Sequence, residues 1–478
     1  MLHTFSVNGD YLAYDSESQA LLLIDELTAQ LIDQTLADGF SMPRDRQAAW
    51  AGQHGADPAD VAEILAELTQ LKDQDVLLAA APEVRLEQLY PDEPRIKSMC
   101  LHLCHDCNLR CRYCFAGQGD YHTGHRSMLS AETGKLAIDF LIAASGPRHH
   151  LDIDFFGGEP LMNWPVVVEL THYCEQEGPR HGKDIRLTIT TNALLLDEAK
   201  TAFVNAHMKN VVLSIDGRPE VNDHMRPGIN GRSSYLPVMQ HIRAFVAARG
   251  AKEHYVRGTY THFNRDFARD ALHLADLGFK QLSLEPVVAD PTEPYALKEE
   301  DLPELMQNYE DLARIYLERK GTPAAFNFFH FNIDLDGGPC LYKRMKGCGV
   351  GTEYCAVTPE GDIYPCHQFV GETQFIMGNV HDRPIVLNQT VQAPFKQLML
   401  PNKPECQTCF AKYFCAGGCA ANAYHASGQV NGQYKLGCDL QQRRLECALW
   451  VAARQKLDEP EKQTTPEALT TSAGTGRC

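Results

Sequence analysis

The sequence predicts an α/β protein: a parallel β-sheet covered by helices, with a small cysteine-free unit before it and a cysteine-rich unit after it. Three observations carry this reading. Between Ser98 and Pro286, strand-length apolar runs alternate six times with helix-length amphipathic runs. No cysteine occurs before residue 100, whereas ten of the 17 cysteines fall within residues 340–447. The chain has 478 residues, 44% of them hydrophobic and 22% charged, which suits several cored units and excludes a disordered chain. With 44 Lys+Arg against 62 Asp+Glu the net charge is −18, a field that repels polyanions, so no nucleic-acid partner is expected. No run is long and apolar enough to span a membrane, and the opening residues lack the basic and apolar segments of a secretion signal. The expected location is the cytoplasm, where clustered cysteines hold metals more often than they form disulfides.

Residues 1–85 read as two short alternating strands, Phe5–Tyr14 and Ala20–Ile24, joined by a polar turn at Asp15–Gln19 and followed by a helix from about Glu26. A second helix starts where Asp57 can cap it and Pro58 fills the first position, and Val61, Ile64, Leu65, Leu68 and Leu71 give it one apolar stripe. Strands plus helices of this size resemble a winged helix-turn-helix. A DNA-binding sensor would need a basic recognition helix, yet Asp57–Leu71 carries Asp57, Asp60, Glu63 and Glu67 and no Lys or Arg. Residues 86–97 read as a linker.

Residues 98–335 form the repeating unit, with strands expected at Ser98–Leu103, Leu151–Phe155, Arg186–Thr190, Asn210–Ile215, Tyr255–Thr261 and Gln281–Leu284. Helices are expected from Ser130, and near 165–175, 197–206, 234–248 and 266–277. Six such units make a parallel sheet that is either doubly wound or curled into a partial barrel, with chemistry at the C-terminal strand ends in both cases. Residues 336–455 are loop-rich and need metals or staples to fold. Residues 456–478 are polar and Thr/Pro-rich, hence predicted to be disordered.

The sharpest motif is Cys107-Asn-Leu-Arg-Cys111-Arg-Tyr-Cys114, placed just after the first strand of the repeating unit. Three thiolates on one short loop suit a [4Fe–4S] cluster with one iron left open. A closed zinc site would need a fourth ligand, for which Cys100 or Cys104 is available. Gly157-Gly158-Glu159-Pro160 follows the second strand; alone it would be a turn. Thr191 and Asn192 follow the third strand, Ser214 and Asp216 close the fourth, Arg257 lies on the fifth, and Arg226 lies between.

Taken together, these motifs resemble the radical S-adenosylmethionine (SAM) superfamily. The resemblance implies a partial (β/α)6 barrel, a first cluster held by Cys107, Cys111 and Cys114, and SAM held by the Gly157–Pro160 loop. Tyr113, Thr191, Asn192, Ser214, Asp216, Arg226 and Arg257 become candidate cofactor contacts. One electron passed through the cluster would cleave SAM to a 5′-deoxyadenosyl radical.

The later cysteines have their own register: Cys348-x12-Gly361-x4-Cys366, then Cys406-x2-Cys409-x5-Cys415-x3-Cys419, and Cys438 after 18 residues. This is similar to the SPASM domain. The resemblance implies a second auxiliary cluster on Cys406, Cys409, Cys415 and Cys438, and a first on Cys348, Cys366 and Cys419, so three [4Fe–4S] clusters in all. The fourth ligand of the first auxiliary cluster is Cys340, Cys355 or Cys447, or that iron is open.

The winged-helix unit, the opening CLHxxxHDCNLRCRYCFA and the run from Cys355 to Gly371 look like the SCIFF maturases. That resemblance implies an enzyme installing thioether cross-links in a short cysteine-rich ribosomal precursor. The precursor's leader would bind residues 1–85, and the electron donor would be a flavodoxin or ferredoxin. The alternative is a formylglycine-forming maturase of the sulfatase-activating type. Those enzymes keep a catalytic aspartate after the Cys366 equivalent, where this chain has His367.

Overall fold

The computed structural model describes residues 1–81, 83, 95–335 and 341–458. Cys340, most of the expected linker and residues 459–478 of the expected tail lie outside the described residues. Within that tail, residues 456–458 are helical, because the last helix runs over Lys435–Asp458.

The N-terminal unit is a three-stranded antiparallel sheet, β1 (Leu2–Val7), β2 (Asp10–Asp15) and β3 (Leu21–Ile24), in the order β1-β2-β3. The single strand expected over Phe5–Tyr14 is therefore a hairpin. Its two-residue turn is Asn8-Gly9, both at positive φ (51° and 87°), the pairing that a tight hairpin turn favours. Alternation of apolar residues continues through such a turn, which is why periodicity alone conceals it. Three helices follow, Glu26–Thr35, Arg44–His54 and Pro58–Asp73. Asp57 caps the last by accepting from the Ala59 amide at 2.8 Å. The middle helix was not expected; it buries only Trp50 and Ala51 and so lacks an apolar stripe.

The large sheet has ten strands. They are β4 (Ser98–Cys104), β5 (His150–Gly157), β6 (Asp184–Thr191), β7 (Asn210–Ser214), β8 (Tyr255–Tyr260), β9 (Gln281–Pro286), β10 (Asn327–Phe328), β11 (Tyr354–Val357), β12 (Asp362–Tyr364) and β13 (Gly378–Asn379). Their order is β10-β9-β8-β7-β6-β5-β4-β11-β12-β13. From β4 to β9 the spatial order follows the chain order and every pair is parallel. A doubly wound sheet would reverse its strand order, so the partial barrel is the architecture observed. The cysteine-rich unit continues the sheet, with β11 parallel to β4.

Strand parity sorts the residues by face. Met99, Leu101, Leu103, Ile153, Phe155, Leu187, Ile189, Val211 and Leu213 enter the main core, shared with the helices. Cys100, Asp154, Thr190 and Ser214 have the opposite parity and face the barrel interior, where Cys100 joins a second cluster with Tyr364, Cys366 and Phe369. The helix Ala131–Ala144 begins as expected, with Ser130 Oγ accepting from the Thr133 amide at 3.0 Å.

The helix Lys435–Asp458 ties the units together. It packs on the helix Leu302–Arg319 and meets the N-terminal sheet, where Asp10 accepts from Trp450 Nε1 and Arg454 Nε, each at 2.6 Å. Glu17 accepts from Tyr413 at 2.7 Å and pairs with Lys412 at 2.6 Å.

Candidate active site and metal centres

The loop after β4 carries Cys107, Cys111 and Cys114. Burial pushes all three thiols up, Cys111 to about 11, and the charges of neighbouring thiolates raise Cys107 and Cys111 further. Arg226 opposes this at Cys111 and Cys114. Buried thiols that repel one another when ionised are a poor resting state for a bare protein and a good one for a cationic centre. Amide donors already face one of them: the Leu109 N–H lies 3.5 Å from Cys107 Sγ, and Asn192 Nδ2 lies 3.7 Å from it.

Gly157 and Gly158 lie against this loop. Gly157 has φ +119°, and a Cβ there would sit 2.3 Å from the Cys104 carbonyl oxygen. A Cβ on Gly158 would sit 2.0 Å from the Asp106 carbonyl oxygen. The close approach lets the Gly158 and Glu159 amides donate to the Cys104 and Asp106 carbonyls, each at 2.9 Å. Cys104 thereby has a role that spacing did not reveal: its buried thiol bonds the Glu159 and Asp106 carbonyls at 3.0 and 3.3 Å, at the seam of the two loops. Gly158→Ala should cost on the order of 1–3 kcal/mol of misfit at this seam. By the resemblance to the radical SAM superfamily it is expected to weaken SAM binding about 10- to 100-fold, as read by isothermal titration.

Glu159 is buried at the loop's end, and its carboxylate accepts from Thr191 Oγ1 (2.7 Å), the Asn192 amide (2.8 Å) and the Leu161 amide (3.1 Å). Burial raises its pKa and these three donors oppose the rise. A carboxylate has about four acceptor sites, so capacity remains for one more donor such as an ammonium. Asn108 Oδ1 accepts from Asn192 Nδ2 at 2.7 Å, while its own buried Nδ2 has no partner among the described residues.

Tyr113, Asp216 and Arg226 form one network. The Tyr113 hydroxyl donates to Asp216 (2.8 and 2.7 Å to its two oxygens), Arg226 Nη1 donates to that hydroxyl at 2.9 Å, and the Thr259 amide donates to Asp216 at 3.1 Å. Burial raises the Asp216 pKa against the pull of Arg226 and Tyr113. Arg226 is thus turned toward this network and beside Cys111. Ser214 and Arg257 are register partners on β7 and β8, and neither side chain makes a hydrogen bond among the described residues.

The later cysteines converge as two sets. Burial raises Cys348 and Cys366, and the charge of Cys419 acts on both. Burial also raises Cys406, Cys415 and Cys438, with mutual repulsion among them and Cys409. Side-chain amides of Gln442 and Gln433 donate to Cys409 and Cys438, each at 3.5 Å. Cys348 and Cys419 of the first set and all four cysteines of the second open on one cavity of about 550 Å³, which Glu285 and Arg444 also line. Cys355 and Cys447 stay apart: both are fully buried in the main core.

Comparison with known proteins now decides the architecture. The Radical SAM superfamily matches residues 101–248, and SPASM, an iron–sulfur cluster-binding domain, matches residues 348–410. The chain joins a radical SAM domain to a SPASM domain. The serine-type anaerobic sulfatase-maturating enzyme of Klebsiella aerogenes is 23% identical over 353 residues, covering 70% of this chain and 82% of that enzyme. Among solved structures, anSMEcpe with bound AdoMet superposes with a TM-score of 0.64 at 18% identity, covering 77% of this chain and 97% of its own. Streptococcus suis SuiB bound to its precursor peptide SuiA has a TM-score of 0.52 at 15% identity, covering 91% and 98%. These similarities establish the fold, and iron–sulfur clusters with SAM are the cofactors such domains imply.

The residues of the radical SAM domain fit that cofactor pair. The thiol triad offers three donors from one loop, Gly157 and Gly158 let the Glu159 loop seat directly against the Cys104–Asp106 backbone that leads into that loop, and Glu159 and Asn108 keep unused hydrogen-bonding capacity beside it. Sequence reasoning missed the polar residues of the barrel interior, notably Asp154, Glu285, His330 and Arg444. Their signal was parity: in Leu151-Asp-Ile-Asp-Phe155 the aspartates alternate with residues of the main core, which puts charge on the inner face of a parallel sheet.

Proposed function

We propose that this protein is a radical SAM maturase that installs thioether cross-links in a short cysteine-rich ribosomal peptide, of the kind made by SCIFF maturases. Three [4Fe–4S] clusters would be held by Cys107, Cys111 and Cys114; by Cys348, Cys366 and Cys419; and by Cys406, Cys409, Cys415 and Cys438. When bound, SAM and the first cluster supply a carbon-centred radical that abstracts hydrogen. The chain's own residues then do the positioning. Glu159 orients the amino group of SAM, Gly157 and Gly158 let its loop pack against the Cys104–Asp106 backbone beside the thiol triad, and the Tyr113–Asp216–Arg226 network fixes the wall beside Cys111.

Support for the thioether reading comes from the set Cys348, Cys366 and Cys419, from which Cys355 and Cys447 stand apart, so that the fourth position falls to Cys340 or to a peptide thiolate. An open iron accepts a peptide thiolate and holds its sulfur beside the reacting carbon. His367 in place of an aspartate disfavours the formylglycine alternative, although the similarity to sulfatase maturases keeps it in view. The decisive experiment incubates the anaerobically reconstituted enzyme, SAM, a flavodoxin or ferredoxin reductant and the cysteine-rich peptide encoded nearest the reading frame. Expected is a product lighter by two hydrogens per link, with the linked cysteine resistant to alkylation. An aldehyde in the product would favour the formylglycine reaction.

Residues 1–85 are proposed to bind the precursor's leader as an added strand on β3, whose outer edge is unpaired among the described residues. Leu23 on that strand is 42% exposed. Leu23→Asp is expected to weaken peptide binding in fluorescence anisotropy while leaving peptide-free SAM cleavage unchanged.

A further inference from the structure

Midway along β5, Asp154 faces the interior of the barrel. It pairs in register with Cys100 of β4 and Thr188 of β6, and Thr190 Oγ1 donates to it at 3.2 Å from each carboxylate oxygen. Among the described residues it has no ion pair within bonding distance, in contrast to Asp152 two residues earlier, which Arg186 Nη2 holds at 2.8 Å. The positive charge facing it is Arg257 of β8, near enough to lower its pKa but not hydrogen-bonded to it. The other titratable groups facing it are Cys100 of β4 and Tyr354 of β11. Tyr354 Oη in turn bonds His367 Nδ1 at 2.7 Å, and the His367 ring stands 3.7 Å from Cys366 Sγ and against Phe115 and Phe156. Asp154 is thus a carboxylate on the inner wall between the loop of Cys114 and Phe115 on one side and Cys366 on the other.

Where a carboxylate would follow Cys366 in a sulfatase maturase, this chain presents His367. The His367 Nδ1 is already engaged with Tyr354. The barrel interior supplies a carboxylate from β5 instead. We propose that Asp154 is the base that takes the proton released when the peptide side chain is oxidised. The inference rests on the radical-maturase reading above and names one residue of that same site.

The balance is the same for both products considered. The substrate carbon loses a hydrogen atom to the 5′-deoxyadenosyl radical, and the substrate's S–H or O–H loses its proton to Asp154. One electron leaves to an iron–sulfur cluster, and the bond formed is C–S in a thioether or a second carbon–heteroatom bond in the aldehyde route. Burial pushes the Asp154 pKa up to about 7, against the opposing Thr190 and Arg257. A base with that pKa holds a proton near neutrality and releases it readily. The active form is deprotonated, so the rate of peptide modification should rise with pH through about 7.

The test compares the full-length holoenzyme with Asp154→Asn and Asp154→Glu, using as probe the neighbouring cysteine-rich peptide deuterated at the acceptor carbons. Asp154→Asn is expected to keep SAM cleavage and deuterium transfer into 5′-deoxyadenosine, to lower product formation about 100-fold or more, and to lose the rising pH limb. Asp154→Glu should restore that limb. A second readout does not depend on turnover: infrared difference spectra should show a protonated-carboxyl band that titrates near pH 7 and is absent from Asp154→Asn. Product formation by Asp154→Asn at the unaltered rate and pH profile, or joint loss of SAM cleavage and product, would overturn the assignment. Failure of the unaltered enzyme to transfer deuterium would count against the maturase reading, while the infrared band still decides whether Asp154 holds its proton near neutrality.

Discussion

Replacing Cys107, Cys111 and Cys114 together by alanine should remove about four of about twelve irons and abolish reductive SAM cleavage. One loop carries all three thiols, and the nearest other cysteine, Cys104, is committed to the Glu159 and Asp106 carbonyls. Asn192, Leu109 and Arg226 keep their places around an empty loop, so loss of the thiols is not expected to unfold the barrel, whose main core lies on the other face of the sheet. All of the auxiliary cysteines except Cys366 line a separate cavity, and the auxiliary sites should keep their irons. Iron and sulfide analysis beside a 5′-deoxyadenosine assay checks both halves. Stoichiometric zinc without visible absorption in the unaltered protein would end the iron–sulfur reading altogether.

The barrel was legible in the sequence because each strand from β4 to β9 is an apolar run bounded by a polar turn, and each following helix has its own apolar stripe. The choice between a barrel and a doubly wound sheet was not legible from periodicity, since both use the same βα unit; the resemblance supplied it, and strand order then confirmed it. Local chemistry fixed several ends, such as Ser130 and Asp57 as caps. Where two local signals conflicted, the reading failed: alternation across Phe5–Tyr14 masked the Asn8-Gly9 turn. The long helix Lys435–Asp458 was also missed, because it contacts the helix Leu302–Arg319, the N-terminal sheet and the cluster cavity, and so shows no single apolar face. Cysteine spacing grouped residues as far apart in the chain as Cys348 and Cys419, but it could not say which way Cys355 and Cys447 point. Strand parity decides the first and helix packing the second.

Those two cysteines give the last expected result. Cys355→Ala and Cys447→Ala should each leave iron content and cross-linking within about twofold of the unaltered enzyme, a change of under about 0.5 kcal/mol. Cys355 shares its face of β11 with Val357 in the main core, and burial pushes its thiol up to about 12 with no neighbouring thiolate contributing. Cys447 is fully buried on the helix Lys435–Asp458 beside Ala448 and Leu449, and the charges acting on it are those of Arg443, Glu310 and Glu446. Cys100 lies near enough to Cys355 to feel its charge, but neither environment draws together the three thiols that each proposed cluster site gathers. By contrast, Cys348→Ala, Cys366→Ala or Cys419→Ala should lower iron by about four per chain and stop cross-linking, because each removes one of the three donors that converge among the described residues. Cys340→Ala separates the remaining cases. Retained iron and retained cross-linking mean that the auxiliary iron is open to a peptide thiolate. Loss of both means that Cys340 closes the cube, and electron transfer then becomes that cluster's role.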